Sequence, residues 1–160
     1  MQNNFSQEFF RGISTTDFVT PEGYIKAGAF KFSEYNNTSR DGDGFCELSI
    51  NWNDDEHALT TLLEQHKPFK EEKQFKVGYC IIERHCLDLL LRNFIENGHF
   101  SYERKPILEN EKEDIQFNPY HGNLLMLNNL DKNVQKNIQH SLACLLYTSD
   151  AADDLIGVDL

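Results

Sequence analysis

Hydrophobic positions recur with two different periods along this 160-residue chain, and the switches between them divide it into elements. Period two dominates Phe45 to Trp52, where Cys46, Leu48, Ile50 and Trp52 share one face and Phe45, Glu47, Ser49 and Asn51 share the other. The first set is expected in the core. Tyr24 to Tyr35 reads as a preceding strand, fed by the turn Thr20-Pro21-Glu22-Gly23 and joined to the next across the polar connection Asn36 to Gly44 as a long-looped hairpin. Phe75 to Ile82, rich in aromatic and β-branched residues, predicts a third strand. His99 to Leu108 predicts a fourth, with Pro106 marking an edge or a strand end.

Helical spacing appears three times. Asn53 with Glu56 resembles a capping box ahead of Leu59, Leu62, Leu63 and His66. Leu87, Leu90, Leu91, Phe94 and Ile95 form a second stripe, and Gly98 stands where a helix terminus takes positive φ. Leu127, Leu130, Val134, Ile138 and Leu142 form a third stripe. The run Leu124 to Leu127 fits a strand or a helical turn. This order predicts an α+β domain: a mixed, mainly antiparallel sheet of four to five strands, with about three helices packed on one face. Strict strand-helix alternation is missing at the start, which disfavours a doubly wound parallel fold.

The closing residues Cys144-Leu-Leu-Tyr-Thr-Ser-Asp-Ala-Ala-Asp-Asp-Leu-Ile-Gly-Val-Asp-Leu160 have a different character. They resemble a translated transposon-library sequencing adapter. The transposase end and primer arm correspond to Cys144 through Asp153 and begin the codon of Asp154. A variable index covers Leu155 and Ile156, and the flow-cell arm resumes in frame as Gly157 to Leu160. The resemblance implies a read-through tail over 144–160 and a single small domain over 1–143, truncated at its C-terminus, from a bacterial, metagenomic source. A foreign tail is expected to pack poorly.

The chain carries 26 acids and 15 bases, a net charge of −11; without the four tail aspartates, 22 acids face the same 15 bases, giving −7. That balance argues against broad nucleic-acid binding, where Lys and Arg must neutralise phosphates. Cys46, Cys80 and Cys86 show no Cys-x-x-Cys spacing and are expected to be reduced. No basic-then-apolar leader opens the chain and no window approaches the twenty or so apolar residues a membrane span needs, so a cytoplasmic protein without a membrane partner is expected.

Candidate chemistry centres on Asn118-Pro119-Tyr120-His121-Gly122-Asn123, a turn-forming segment with a histidine suited to acid/base work or metal binding. A hydrogen-bonded turn histidine is the plainer reading. Glu47, Ser49 and Asn51 either line a pocket or meet water. Arg11 and Arg104 are candidate clamps for a phosphate or carboxylate, with intramolecular pairing as the alternative. Asp41-Gly42-Asp43-Gly44 resembles the start of a calcium loop, but the later oxygen ligands are missing. The six histidines show no His-x-x-x-His pair and no cysteine spacing suits zinc, so neither metal nor cofactor is expected. There is no Walker loop, no Gly-x-Gly-x-x-Gly and no Gly-x-Ser-x-Gly.

Two functions remain. The leading expectation is a non-catalytic interaction or accessory module that meets a protein partner through exposed N-terminal aromatics. The alternative is an enzyme for a phosphate-bearing or nucleotide-like ligand. In it His121 and Glu47 are catalytic, with Arg11, Arg104, Tyr120 and Asn123 holding the ligand. That reading requires these groups to converge.

Overall fold

A computed structural model describes residues 7–32, 44–67, 69–108 and 116–148. Five strands build one antiparallel sheet: β1 (Glu8–Ile13), β2 (Phe45–Trp52), β3 (Gly78–Glu83), β4 (Phe100–Arg104) and β5 (His121–Leu127), in spatial order β3-β1-β2-β5-β4. Four helices accompany it: α1 (Ala58–Leu63), α2 (Arg84–Leu90), α3 (Arg92–Glu96) and α4 (Lys132–Thr148). The α+β class and antiparallel sheet are as the periodicities predict. Among the described residues no helix is long and apolar enough to cross a membrane.

The first strand differs from expectation. Tyr24 to Phe32 forms no ladder; Ala27–Phe30 is a 3-10 turn, while Tyr35 lies outside the described residues. Ala27-Gly28-Ala29 has little side chain to pack against a neighbouring strand. Phe9-Phe10-Arg11-Gly12-Ile13 takes the strand position instead, burying Phe9 on one face and Phe10 on the other. The expected hairpin with Phe45–Trp52 is therefore replaced. β2 pairs with β5 over seven positions, from Phe45↔Leu127 to Asn51↔His121, and with β1 at only Phe9↔Trp52 and Phe10↔Asn51. β3 completes six pairs with β1, and β4 lies at the opposite edge, in keeping with Pro106 just beyond it.

The helical stripes also meet local geometry. α1 starts later than the Asn53 cap implies: its first N–H groups follow His57, whose own N–H donates to Asp55 Oδ1 at 2.8 Å. The second stripe is split at Leu91 (φ −99°, ψ 13°) into α2 and α3, and Gly98 ends it at φ +74°. Helices occupy both faces of the sheet, correcting the one-face expectation. Leu87 of α2 and Ile138 and Leu142 of α4 join Phe9, Ile13, Leu48, Ile50, Ile82, Phe100, Leu124 and Met126 in the main core. Ala58 and Leu62 of α1 pack on the other face with Phe10, Phe75 and Tyr79.

α4 crosses the Ala143 boundary without a break, and Leu145 is buried in the main core. Poor packing of the whole tail is thus corrected at Leu145. The reason is phase: Ile138, Leu142 and Leu145 stand at i, i+4 and i+7, so a leucine there meets the core whatever its coding origin. Residues 149–160 lie outside the described residues.

Candidate functional site

Side-chain alternation gives the β2-β5-β4 half of the sheet two unlike faces. Toward the main core point Cys46, Leu48, Ile50, Leu124, Met126 and Phe100. Toward the other face the registers align three cross-strand rows: Asn51 with His121; Ser49 with Asn123 and Glu103; and Glu47 with Leu125 and Ser101. Lys105, just past β4, donates its N–H to the His121 carbonyl at 2.9 Å and so extends the first row. Leu125 is the single apolar member.

Within this grid the polar groups engage one another. His121 Nδ1 is 2.7 Å from the Lys105 carbonyl, which only accepts, so Nδ1 carries the proton and in the neutral ring Nε2 is the acceptor. Ser49 Oγ lies 3.3 Å from Nε2. Lys105 Nζ approaches Glu47 Oε1 at 3.7 Å, with the Glu47 side chain 12 % exposed. The register puts Asn123 beneath the line joining those two charges. Asn123 is 2 % exposed and, among the described residues, its Nδ2 has no hydrogen-bond partner, an arrangement that costs about 1–3 kcal/mol when a donor is buried.

A buried asparagine pair anchors the near end of the site. Asn118 Nδ2 donates to Asn51 Oδ1 at 2.8 Å, Asn51 Nδ2 donates to the Ala58 carbonyl at 3.2 Å, and the Tyr120 N–H donates to Asn118 Oδ1 at 3.1 Å. This chain ties the start of α1, β2 and the turn before β5 together. His121 is consequently the first residue of a strand, not a loop residue as the turn formers suggested. Gly122 follows it because a Cβ there would run into the Trp52 indole and the Glu103 carbonyl, which share a hydrogen bond of 3.3 Å.

The two arginines do not join this face, correcting the expected convergence. Arg11 alternates with Phe10 and points toward the main core side. Where β1 parts from β2, its Nε donates to the Ala29 carbonyl at 3.3 Å and its Nη1 to the Ser49 carbonyl at 3.1 Å. Burial pushes its guanidinium pKa down. Arg104 stacks over the Trp52 ring at 4.0 Å and grips Asp54 through two hydrogen bonds of 2.5 and 2.7 Å, which raise its pKa. Both guanidiniums are therefore engaged with their own chain. Tyr120 donates to both Asp55 oxygens, at 2.8 and 3.0 Å, outside the His121 grid.

Glu47, His121 and Asn123 are the sequence-selected residues that the fold does bring to one face. Ser49 belonged to the polar row Glu47-Ser49-Asn51, so its parity was readable, but its partner was not. Lys105 and the Asn51–Asn118 pair carried no signal short of the β2-β5-β4 register. Among the described residues no group of three or more His, Cys, Asp or Glu side chains is arranged to hold a metal ion. Comparison of the chain with family models, curated proteins and solved structures gives no match.

Proposed function

We propose that the chain is a small enzyme whose acid/base residue is His121, working on a neutral or cationic polar substrate held against the β2-β5-β4 face. The observation that carries this reading is the fixed tautomer: the Lys105 carbonyl holds the Nδ1 proton, leaving Nε2 directed at a hydroxyl and ready to accept its proton. Glu47 and Lys105 flank the base as a charge pair that orients substrate. The face carries Glu47 and Glu103 against Lys105, and Arg11 and Arg104 point elsewhere, so among the described residues a phosphate-rich ligand has no arginine clamp here.

Hydrolysis of a panel of p-nitrophenyl esters tests the reading, with p-nitrophenyl phosphate as the anionic arm. Carboxylic esters should turn over, the phosphate should not, and His121→Gln should lower the rate about 100-fold. Turnover that is absent, or unchanged in His121→Gln, would sink it. The scattered cysteines 46, 80 and 86, without Cys-x-x-Cys spacing, support a reducing, cytoplasmic setting. The adapter resemblance of 144–160 supports a bacterial, metagenomic origin, and recloning the locus from genomic DNA tests that.

A second reading, an interaction module, keeps support from a different surface. Its first motive is weakened, because Phe9 and Phe10 are buried and Phe18 is half-buried, while Phe5 lies outside the described residues. Phe69, however, is 83 % exposed at φ +58°, a conformation costly for a bulky residue, and Leu108 and Phe117 are also exposed. The Ile107↔Asn118 bridge and the His66 N–H to Gln116 Oε1 bond of 2.9 Å draw these three segments together. A protein partner is the expected occupant, a second copy being the simplest case. Light scattering that finds one monomeric species at all concentrations, unaltered in Phe69→Ser, counts against self-association.

A further inference from the structure

The pairing of Ser49 with His121 and the orphaned amide of Asn123 have more chemistry in them than proton transfer alone. Resting on the acid/base reading above, we propose that Ser49 is a nucleophile, that the substrate is a carboxylic ester or related acyl compound, and that Asn123 Nδ2 receives the oxyanion.

A serine hydroxyl is a weak nucleophile until a base takes its proton, and the base must itself be oriented by a third group. All three parts are in place: Ser49 Oγ at 3.3 Å from His121 Nε2, and the Lys105 carbonyl at 2.7 Å from Nδ1. The third group is a neutral carbonyl where the familiar triads use a carboxylate, so it fixes the tautomer while stabilising the imidazolium less. Ser49 is exposed, so an acyl carbon can reach it from solvent.

The stabiliser is indicated independently. Asn123 lies directly across the ladder from Ser49, and such cross-strand Cβ atoms are about 4.5–5.5 Å apart. An oxygen bonded to the carbon that Ser49 attacks therefore falls within reach of the Asn123 amide. That amide is buried with no partner among the described residues, as a donor held ready for developing charge would be. Lys105 Nζ and Glu47 Oε1 meet at 3.7 Å with the lysine 34 % exposed, a long contact that a substrate can part. Substrate parts this pair, and the ammonium then stands beside the oxyanion.

The cycle balances with water as the only co-reactant. Ser49 Oγ bonds to the acyl carbon while its proton moves to His121 Nε2, and the carbonyl electron pair becomes the oxyanion facing Asn123 Nδ2. Collapse breaks the bond to the leaving alkoxide, which takes the Nε2 proton and departs as alcohol. Water then attacks the acyl-Ser49 ester, giving its proton to Nε2, and the second collapse releases the carboxylic acid and returns the proton to Ser49.

A fluorophosphonate probe and p-nitrophenyl acetate test this on the full chain. Intact mass and peptide mapping should show one phosphonyl group on Ser49, absent in Ser49→Ala. Labelling should slow at least tenfold in His121→Gln. In Asn123→Ala acetate turnover should fall about 100-fold with thermal stability retained. Circular dichroism of each variant separates lost chemistry from lost folding. If hydrolysis depends on His121 but survives Ser49→Ala without an adduct, the nucleophile assignment falls and the acid/base reading stands. If nothing depends on His121, both fall. Labelling at another residue, or full turnover in Asn123→Ala, overturns the respective role.

Discussion

Neighbouring residues on β5 live in opposite worlds. Leu124 is fully buried in the apolar core that Ile138 and Leu142 of α4 and the apolar side of β2 share, whereas Asn123, one position earlier, is buried among polar groups with a donor unanswered among the described residues. Burial alone thus says nothing about why a residue is present. On the core face each buried atom is matched by apolar contact, which stabilises; on the other face burial leaves a polar group unmatched, which costs and points to a use beyond folding.

The sharpest way to break that contrast is to truncate both residues. Leu124→Ala should destabilise the domain by about 2–5 kcal/mol through lost transfer energy and a cavity, read by urea unfolding. Asn123→Ala should stay within about 1 kcal/mol of the parent, or stabilise it, because the change deletes an unpaired donor. Equal losses would erase the distinction. Leu145→Ala comes next, at about 2 kcal/mol, since its side chain is in the same apolar core near the end of α4. A silent substitution there would mean that the helix beyond Ala143 contributes nothing to folding.

Asn118→Ala should cost about 1–3 kcal/mol, because it leaves buried Asn51 Oδ1 without its donor and loosens the turn that positions His121. A matching drop in esterase rate at unchanged folding would tie that pair to the site. The smallest effect concerns pH. The Asp55 carboxyl is held below its usual range, first by the His57 backbone N–H and then by the Tyr120 hydroxyl. A depressed carboxylate adds stability above its unfolded pKa of about 3.9, and that stability is lost as pH falls through the lower folded value. Asp55→Asn should therefore flatten the stability profile below about pH 4. An NMR titration placing Asp55 at or above the ordinary value would contradict this.

Much of the core face was legible because period two in Cys46-Leu48-Ile50-Trp52 and period 3.6 in the α4 stripe each specify a buried side without reference to the rest of the chain. β1 was not, since two adjacent phenylalanines buried on opposite faces give no alternation to read. Leu91 broke a continuous-looking stripe into two helices, which periodicity cannot foresee. For the site, the parity of Glu47, Ser49 and Asn51 was visible, and so was the suspicion about His121. What joined them was a register between strands some seventy residues apart, and single-chain patterns carry no register across that distance. The same blindness led Arg11 and Arg104 to be grouped with His121, although each is pinned on the far side of the sheet.

The short ladder between β1 and β2 makes the sheet two ribbons, β3-β1 and β2-β5-β4, seamed by two residue pairs, by the Asn53 N–H and Nδ2 donating to the Glu8 carbonyl and Oε2 at 3.1 and 3.0 Å, and by the Arg11 guanidinium reaching the Ser49 carbonyl. Such a seam is where a cooperative structure parts first, so amide deuteration should divide the molecule into a fast-opening ribbon and a slow one along this line. The carbonyl that Arg11 grips belongs to Ser49 itself. Opening the seam would thus detune the reactive hydroxyl long before the domain unfolds.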